Sequence, residues 1–586
     1  MDTGKALQSY DYIIIAGYFL IILGTAAYFS KRTKLSRDFF IAGGTMPWWL
    51  AGISFFMASH SALSFVMYGQ LGYKYGITAV LIFQVSVTGL VLAGLYVAKR
   101  WRRSRTVTPI QFLERRYSLY MRQALAWTGF PVRIMDDAMK IFSTAIFVYV
   151  GMKLAVISLP AAITLVGIVM IIYALTGGQK GVIVTDFLQF IITMIIVIVI
   201  LVLTILRFYK SGFSVSQLPS GFLSPFSGPY HAFDYLSFIA LMIISYNTMW
   251  SLVHKFNCVP TEKDASKVAW LVAVLNLIAP IIFFSPSIFA RLILPKLAHP
   301  EYSYAAIAFT VLPTGMMGIL VVGMFASTIA TMGSEFNVLA GILTNDLYKR
   351  IFKPDASDRQ LVKVGKIATI VAGGLIILMA TIVANLKGFN LFDIMLKSFG
   401  ALLPATALPI LMGFFWKRIS ARGALYGLIA GAITGTVLVI INALLMDANA
   451  SRFASDPTLQ YWLKQGWDSG AILFNSGVTI LAMYFASLRY PGSTEERKTA
   501  ESYFKDLDTN IVVDAADSVI ETKLSNGQIV AVATLLFGAL VIVIGALLAL
   551  HGGYNTAPAM NIGTGVFLSL IGIAIYIKEH RDKRKR

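Results

Sequence analysis

A single cysteine, Cys258, stands among 586 residues, which excludes an intramolecular disulfide framework, a cysteine-built zinc site and an iron–sulfur cluster. Charge is scarce too. Only 13% of residues are Asp, Glu, Lys or Arg against 57% hydrophobic, too few to cover a soluble protein of 64.2 kDa. No Gly-x-x-x-x-Gly-Lys-Ser/Thr occurs, and Gly177-Gly178-Gln-Lys-Gly181 has neither the spacing nor the hydroxyl to cradle phosphates, so direct ATP drive is disfavoured. The chain also lacks a His-x-x-x-His pair, a carboxylate cluster at metal spacing and a Gly-x-Ser-x-Gly elbow, which leaves a membrane enzyme as a weak second class.

What is present is a succession of apolar runs, each near the roughly 20 residues that an α-helix needs to cross a bilayer. About fifteen are expected, near 12–30, 47–68, 78–98, 124–155, 160–176, 183–208, 235–253, 268–294, 316–346, 362–385, 389–416, 421–446, 469–489, 527–550 and 557–577. The first is read as a span and not a cleavable signal, because only Lys5 precedes it and Lys31, Arg32, Lys34 and Arg37 follow it. The excess of 49 Lys and Arg over 29 Asp and Glu collects in alternate loops. Lys99–Arg105 with Arg115, Arg116 and Arg122, then His254-Lys255, Lys349-Arg350-Lys353, Lys417-Arg418-Arg422 and the basic C-terminus fall on one side, predicting an outer N-terminus and an inner C-terminus in the cytoplasmic membrane. The formal +20 is then a topology signal and an attraction to anionic lipid headgroups, and no nucleic-acid partner is expected. The polar stretch 490–526 reads as a solvated amphipathic linker, too short to bury a core of its own.

Three spans are interrupted by polar residues. The second carries Met57-Ala-Ser59-His60-Ser61-Ala-Leu-Ser64 at mid-membrane, and the seventh, five spans on, carries Ser245-Tyr-Asn247-Thr-Met-Trp-Ser251. Two interrupted spans at that spacing are what an inverted repeat of five helices plus five produces, with unwound carbonyls free to hold a cation. Small residues there equally permit close helix packing. The ninth span adds Ser327, Thr328 and Thr331, neutral hydroxyls of the hard-oxygen kind that sodium prefers by analogy with other hard cations.

Four motifs resemble the sodium:solute symporter family, which includes sodium–glucose, proline and sialic-acid transporters. They are Asp38-Phe-Phe-Ile-Ala-Gly43-Gly44 with Pro47-Trp48-Trp49; Tyr173-Ala-Leu-Thr-Gly177-Gly178 through Thr185-Asp186-Phe-Leu-Gln189; Asn345-Asp346-Leu-Tyr348-Lys349; and Gly413-Phe-Phe-Trp416-Lys417 through Ser420, Gly423 and Gly427. The resemblance implies an all-α polytopic membrane protein. Its five-plus-five inverted-repeat core would have one extra N-terminal and about four extra C-terminal helices, divided as 1–46, 47–234, 235–416 and 417–586. It implies sodium as coupling ion, no other cofactor, and sodium-coupled symport of a small solute by alternating access. Sodium would sit on the carbonyls of Met57, His60 and Ser327 and the hydroxyl of Thr331. Ala330 stands where the family usually has a second hydroxyl; Asp186, which matches a family acidic residue on the cytoplasmic exit path, and Glu335, one turn beyond Thr331, are candidates to compensate.

For the solute, Ser64, Phe83 and Asn276 replace the Gln, Glu and Lys of the sodium–galactose type, which disfavours a neutral hexose. Arg133, Asp136, Asp137 and Lys140 on the fourth span and Asp393 and Lys397 on the eleventh bring charge instead, either as self-neutralising i,i+4 pairs (Arg133–Asp137, Asp393–Lys397) or facing a cavity. Lys140 falls within a residue of the carboxylate-binding Arg of the sialic-acid members, so an anionic or zwitterionic solute is expected. The expected cavity residues are Ser59, Ser64, Gln84, Lys140, Asn247, Asn276 and Asp393. Proton-coupled transport through Asp186 or Glu335, uncoupled transport, and a non-transporting sensor remain alternatives; the sensor would need a long output domain after the last span.

Overall fold

A computed structural model describes residues 6–30, 44–106, 109–152, 157–176, 179–386, 391–449, 455–511, 526–552 and 555–585. The motif residues Asp38–Gly43 and Gly177-Gly178, and the basic stop Lys31–Arg37, lie outside the described residues. The described residues are almost all helical. In chain order the helices are α1 (Ser9–Ser30), α2 (Trp48–Ala58), α3 (Ala62–Tyr75), α4 (Thr78–Arg103), α5 (Pro109–Arg116), α6 (Leu119–Gly151), α7 (Leu159–Thr176), α8 (Gln179–Lys210), α9 (Ala232–Thr248), α10 (Trp250–Asn257), α11 (Glu262–Ile293), α12 (Ser303–Val311), α13 (Met316–Gly341), α14 (Asp358–Asn385), α15 (Leu391–Phe415), α16 (Ala421–Ala448), α17 (Pro457–Leu463), α18 (Gln465–Arg489), α19 (Thr494–Asp508), α20 (Asn526–Gly552) and α21 (Thr556–Lys585).

Each of the fifteen expected runs coincides with a helix or a bent helix pair. By length and composition alone, ten described helices are able to span a membrane, or up to twelve if each bent pair is one span. The remaining three runs fall on α1 and α7, apolar helices of 22 and 18 residues, and on α6, which carries Asp136, Asp137 and Lys140 within its apolar half. Two helix pairs are sharply bent at a short break. The α2/α3 pair bends by 58° and the α9/α10 pair by 50°. Neither partner of either pair is long enough to cross alone at 1.5 Å per residue.

Burial sorts the helices into centre and periphery. The most apolar stretch of α13 is wholly buried within the protein, against 22% of that of α16. A helix apolar all round and enclosed by protein is the core of the bundle, whereas α16 presents its apolar face to lipid.

Several basic residues read as topology charges have structural work instead. Arg102 donates to the carbonyls of Val259 at 2.6 Å and Pro260 at 3.0 Å. Arg116 donates to those of Gly413, Trp416 and Ile419 at 2.9–3.1 Å, closing the C-terminal end of α15, where orphan carbonyls attract cations. Lys255, assigned from sequence to a cytoplasmic loop, lies fully buried within α10. The insert after α18 also departs from a solvated linker. Ser493 and Glu496 form a capping box that starts α19, which buries Tyr503, Phe504 and Leu507, sets Tyr503 5.7 Å from Phe112 of α5 and pairs Asp506 with Arg115 at 2.9 Å.

Candidate cation and solute site

The α2/α3 break takes three residues out of helical register. Ser59 is the C-cap of α2, and Ser61, extended at φ −138° and ψ 177°, precedes α3, so the His60 carbonyl lies beyond the end of the α2 ladder. The Met57 carbonyl accepts from the His60 N–H at 3.2 Å. His60 is 2% exposed; its Nδ1 donates to the Phe56 carbonyl at 2.8 Å and its Nε2 has no partner among the described residues.

Facing this break is α13. The Ala62 N–H donates to Thr328 Oγ1 at 3.1 Å, and the Thr328 and Thr144 hydroxyls lie 2.8 Å apart, so α3, α13 and α6 meet at one threonine. Ser327 and Thr331 are buried on either side of Thr328 and donate back to the carbonyls of Met324 at 3.0 Å and Thr328 at 2.8 Å. A hydroxyl that donates to its own helix keeps its lone pairs for a cation. Met57, His60, Ser327 and Thr331 are thus carried by two elements tied by a hydrogen bond, while Ala330, fully buried, adds no oxygen.

Beside the break lies a cavity of about 120 Å³. Of the sequence-derived solute residues, Ser59, Ser64 and Lys140 line it, together with Thr331. Gln84, Asn247, Asn276 and Asp393 do not. Gln84 donates to the Leu277 carbonyl at 2.6 Å and Asn247 to the Gly89 and Ile243 carbonyls at 2.9 and 2.8 Å, which is what amides inside a bundle do when a neighbouring backbone is in reach. Asn276 stands behind the wall, donating to Ser86 Oγ at 3.0 Å and to the Tyr246 hydroxyl at 3.2 Å, both cavity residues. Asp393 is partly exposed in the first turn of α15.

Neither expected i,i+4 pair forms as drawn. Arg133 pairs with Glu335 of α13 and lies 4.2 Å over the Trp250 ring, leaving Asp136 and Asp137 to Lys140 at 2.6 and 3.1 Å. Lys397 turns to Asp468 at 2.9 Å and Asn442 at 2.7 Å. Spacing on one helix offers a partner, but a facing helix offers another that is equally close and fully desolvated.

Asp186 is fully buried on α8, accepts from Ser54 of α2 and lies 3.6 Å from the Lys255 ammonium of α10. Sequence reasoning missed Lys255 and Ser54; it named Thr328 among the ninth-span hydroxyls and Asp136 among the fourth-span charges without assigning either to the site. Lys255 had a signal, a basic residue only four positions after the Ser251 patch, yet it reads equally well as a loop charge; Ser54 has none.

A family model for sodium:solute symporters matches residues 39–224 and 234–431. The chain belongs to the sodium:solute symporter family. Among curated relatives, this symporter-family chain is 24% identical over 466 residues to a sodium/glucose cotransporter of Vibrio parahaemolyticus, covering 72% of this chain and 84% of the relative. It is 25% identical over 458 residues to a sodium/sialic acid symporter of Aliivibrio fischeri, covering 73% and 88%. The solved structure of a Na+-coupled sialic acid symporter in a substrate-bound, outward-open state superposes with a TM-score of 0.66 at 22% identity, over 82% of this chain and 98% of that one. The fold is therefore that of an all-α secondary transporter.

Proposed function

We propose that this symporter-family member carries a small charged organic solute across the cytoplasmic membrane together with sodium, by alternating access. Residues 47–234 and 235–416 serve as the two inverted repeats, each headed by a broken span, with the N-terminus outside and the C-terminus inside. Met57, His60, Ser327 and Thr331 bind sodium; Ser59, Ser64 and Lys140 meet the solute. The observation that carries the reading is the hydrogen bond from Ala62 to Thr328, which holds the broken span against the hydroxyl-bearing helix at the edge of the cavity. Ion and solute then share the residues around Thr331, so occupancy of one site organises the other, and that is the physical requirement for coupling. Each sodium entering down a membrane potential of 100 mV contributes about 2.3 kcal/mol.

Proton coupling would fall to Asp186 or Glu335. Both are engaged by a cation, the buried Lys255 and the partly buried Arg133 respectively, which favours sodium as the mobile charge. The test is the melting temperature of the purified protein in NaCl against KCl at equal ionic strength, followed by uptake into proteoliposomes under an imposed sodium gradient. A sodium-specific rise and sodium-driven accumulation support the reading; uptake that ignores sodium and follows a proton gradient overturns it.

A further inference from the structure

Carboxyl groups outnumber cations around the cavity. One ammonium, Lys140, faces two carboxyl groups, Asp136 and Asp137, while Glu335 is matched by Arg133, so these five groups set three carboxyls against two cations. Asp137 is fully buried, with its Oδ2 lacking any partner among the described residues. Asp136, by contrast, opens on the cavity. With Met249 and Phe399 it also lines a second cavity of about 60 Å³ that holds Arg133 and Glu335, so it stands in the wall between the two spaces. An uncompensated negative charge at membrane depth is costly, and a cation delivered by the solute removes it. An incoming carboxylate would instead have to displace Asp136 and Asp137 from Lys140.

The rest of the wall is consistent with the same chemistry. Tyr68, Phe83, Tyr246 and Phe399 line the cavity, and aromatic rings are the kind of group that attracts ammonium and quaternary ammonium ions. We propose that the transported solute bears a cationic nitrogen, alone or as part of a zwitterion, and that Asp136 is the residue that recognises it. This rests on the reading of the cavity as the solute site and names the solute class. It also reverses the expectation drawn from Lys140 alone: a lysine held by two carboxylates marks a net acidic site.

The experiment is a thermal-shift and uptake panel on the full-length protein, with choline, glycine betaine and 4-aminobutyrate set against butyrate and erythritol, each in NaCl and in KCl. Stabilisation by at least one cationic or zwitterionic probe, and affinity for it weakened about tenfold or more in Asp136→Asn but kept within a few-fold in Asp136→Glu, is the expected result. Asp136→Asn leaves Lys140 paired with Asp137, so the variant should fold; if it does not, the wild-type panel decides. Binding confined to butyrate or erythritol, binding by none of the nitrogenous probes, or an Asp136→Asn variant that binds them unchanged overturns the proposal. Failure of sodium coupling is read separately: probe binding that persists without any sodium effect removes the sodium reading and leaves this one standing.

Discussion

The two broken spans use the same device for different ends. At the α2/α3 break, three residues leave the helix and the nearest partner across the bundle is a neutral hydroxyl, Thr328. At the α9/α10 break a single residue, Met249, turns extended at ψ 125°, and the short helix after it carries His254 and Lys255, of which Lys255 meets Asp186. One break is tied across the bundle by a dipole, the other is anchored by full charges. Dipoles suit an ion that must bind and leave, because carbonyls and hydroxyls neutralise it only in part; a buried ion pair suits a joint that must hold, because separating it leaves a charge unpaired in low dielectric.

That contrast is open to test, and the charged side carries the largest effects. Asp186→Asn strands the Lys255 ammonium in the interior and is expected to destabilise the protein by about 3–5 kcal/mol, read as a fall in melting temperature. Adding Lys255→Met should restore much of it; a single variant as stable as the parent would show that the α9/α10 joint does not depend on charge. Asn247→Ala, which removes the bonds from α9 to Gly89 and within its own turn, should lower stability by about 1–2 kcal/mol while leaving solute specificity alone.

On the dipolar side, Thr331→Ala should raise the sodium concentration for half-saturation about tenfold, near 1.4 kcal/mol, with little change in melting temperature without sodium. Unchanged sodium dependence would move the ion elsewhere. Thr328→Val leaves the Ala62 N–H without its acceptor, and about 1 kcal/mol of stability should be lost in a denaturation series. Smallest of all, Gln84→Leu should shift stability by about 0.6 kcal/mol and leave solute uptake intact, since among the described residues its amide serves only the Leu277 carbonyl.

How much of this was legible in the chain depends on the range of the interaction. Spans were readable because hydrophobic length is a local property, and even the breaks could be located, since Ser59-His60-Ser61 and Ser245–Ser251 interrupt otherwise continuous apolar runs. Family motifs were readable from Asp38 to Gly427, and the family model matches residues 39–224 and 234–431. Partner choice was not readable. Arg133 has Asp137 four residues away and takes Glu335, 202 positions along the chain; Lys397 has Asp393 four residues away and takes Asp468. Asn247 and Gln84 are polar at membrane depth and equally suited to a cavity or to a neighbouring backbone, and only packing separates those roles.

The sequence alone therefore determined that this chain is a helical membrane protein, where its apolar helices lie, which of them are interrupted and which transporter family it belongs to. Each of these follows from composition within a window of about 20 residues or from contiguous motifs. Tertiary structure decided the electrostatics: which carboxylates neutralise which cations, that Lys140 is outnumbered, that Lys255 is a buried joint and not a loop charge, and which polar side chains open on the cavity. Coulomb energy in a low-dielectric interior depends on separations of a few ångströms between helices distant in sequence, and no local pattern encodes those.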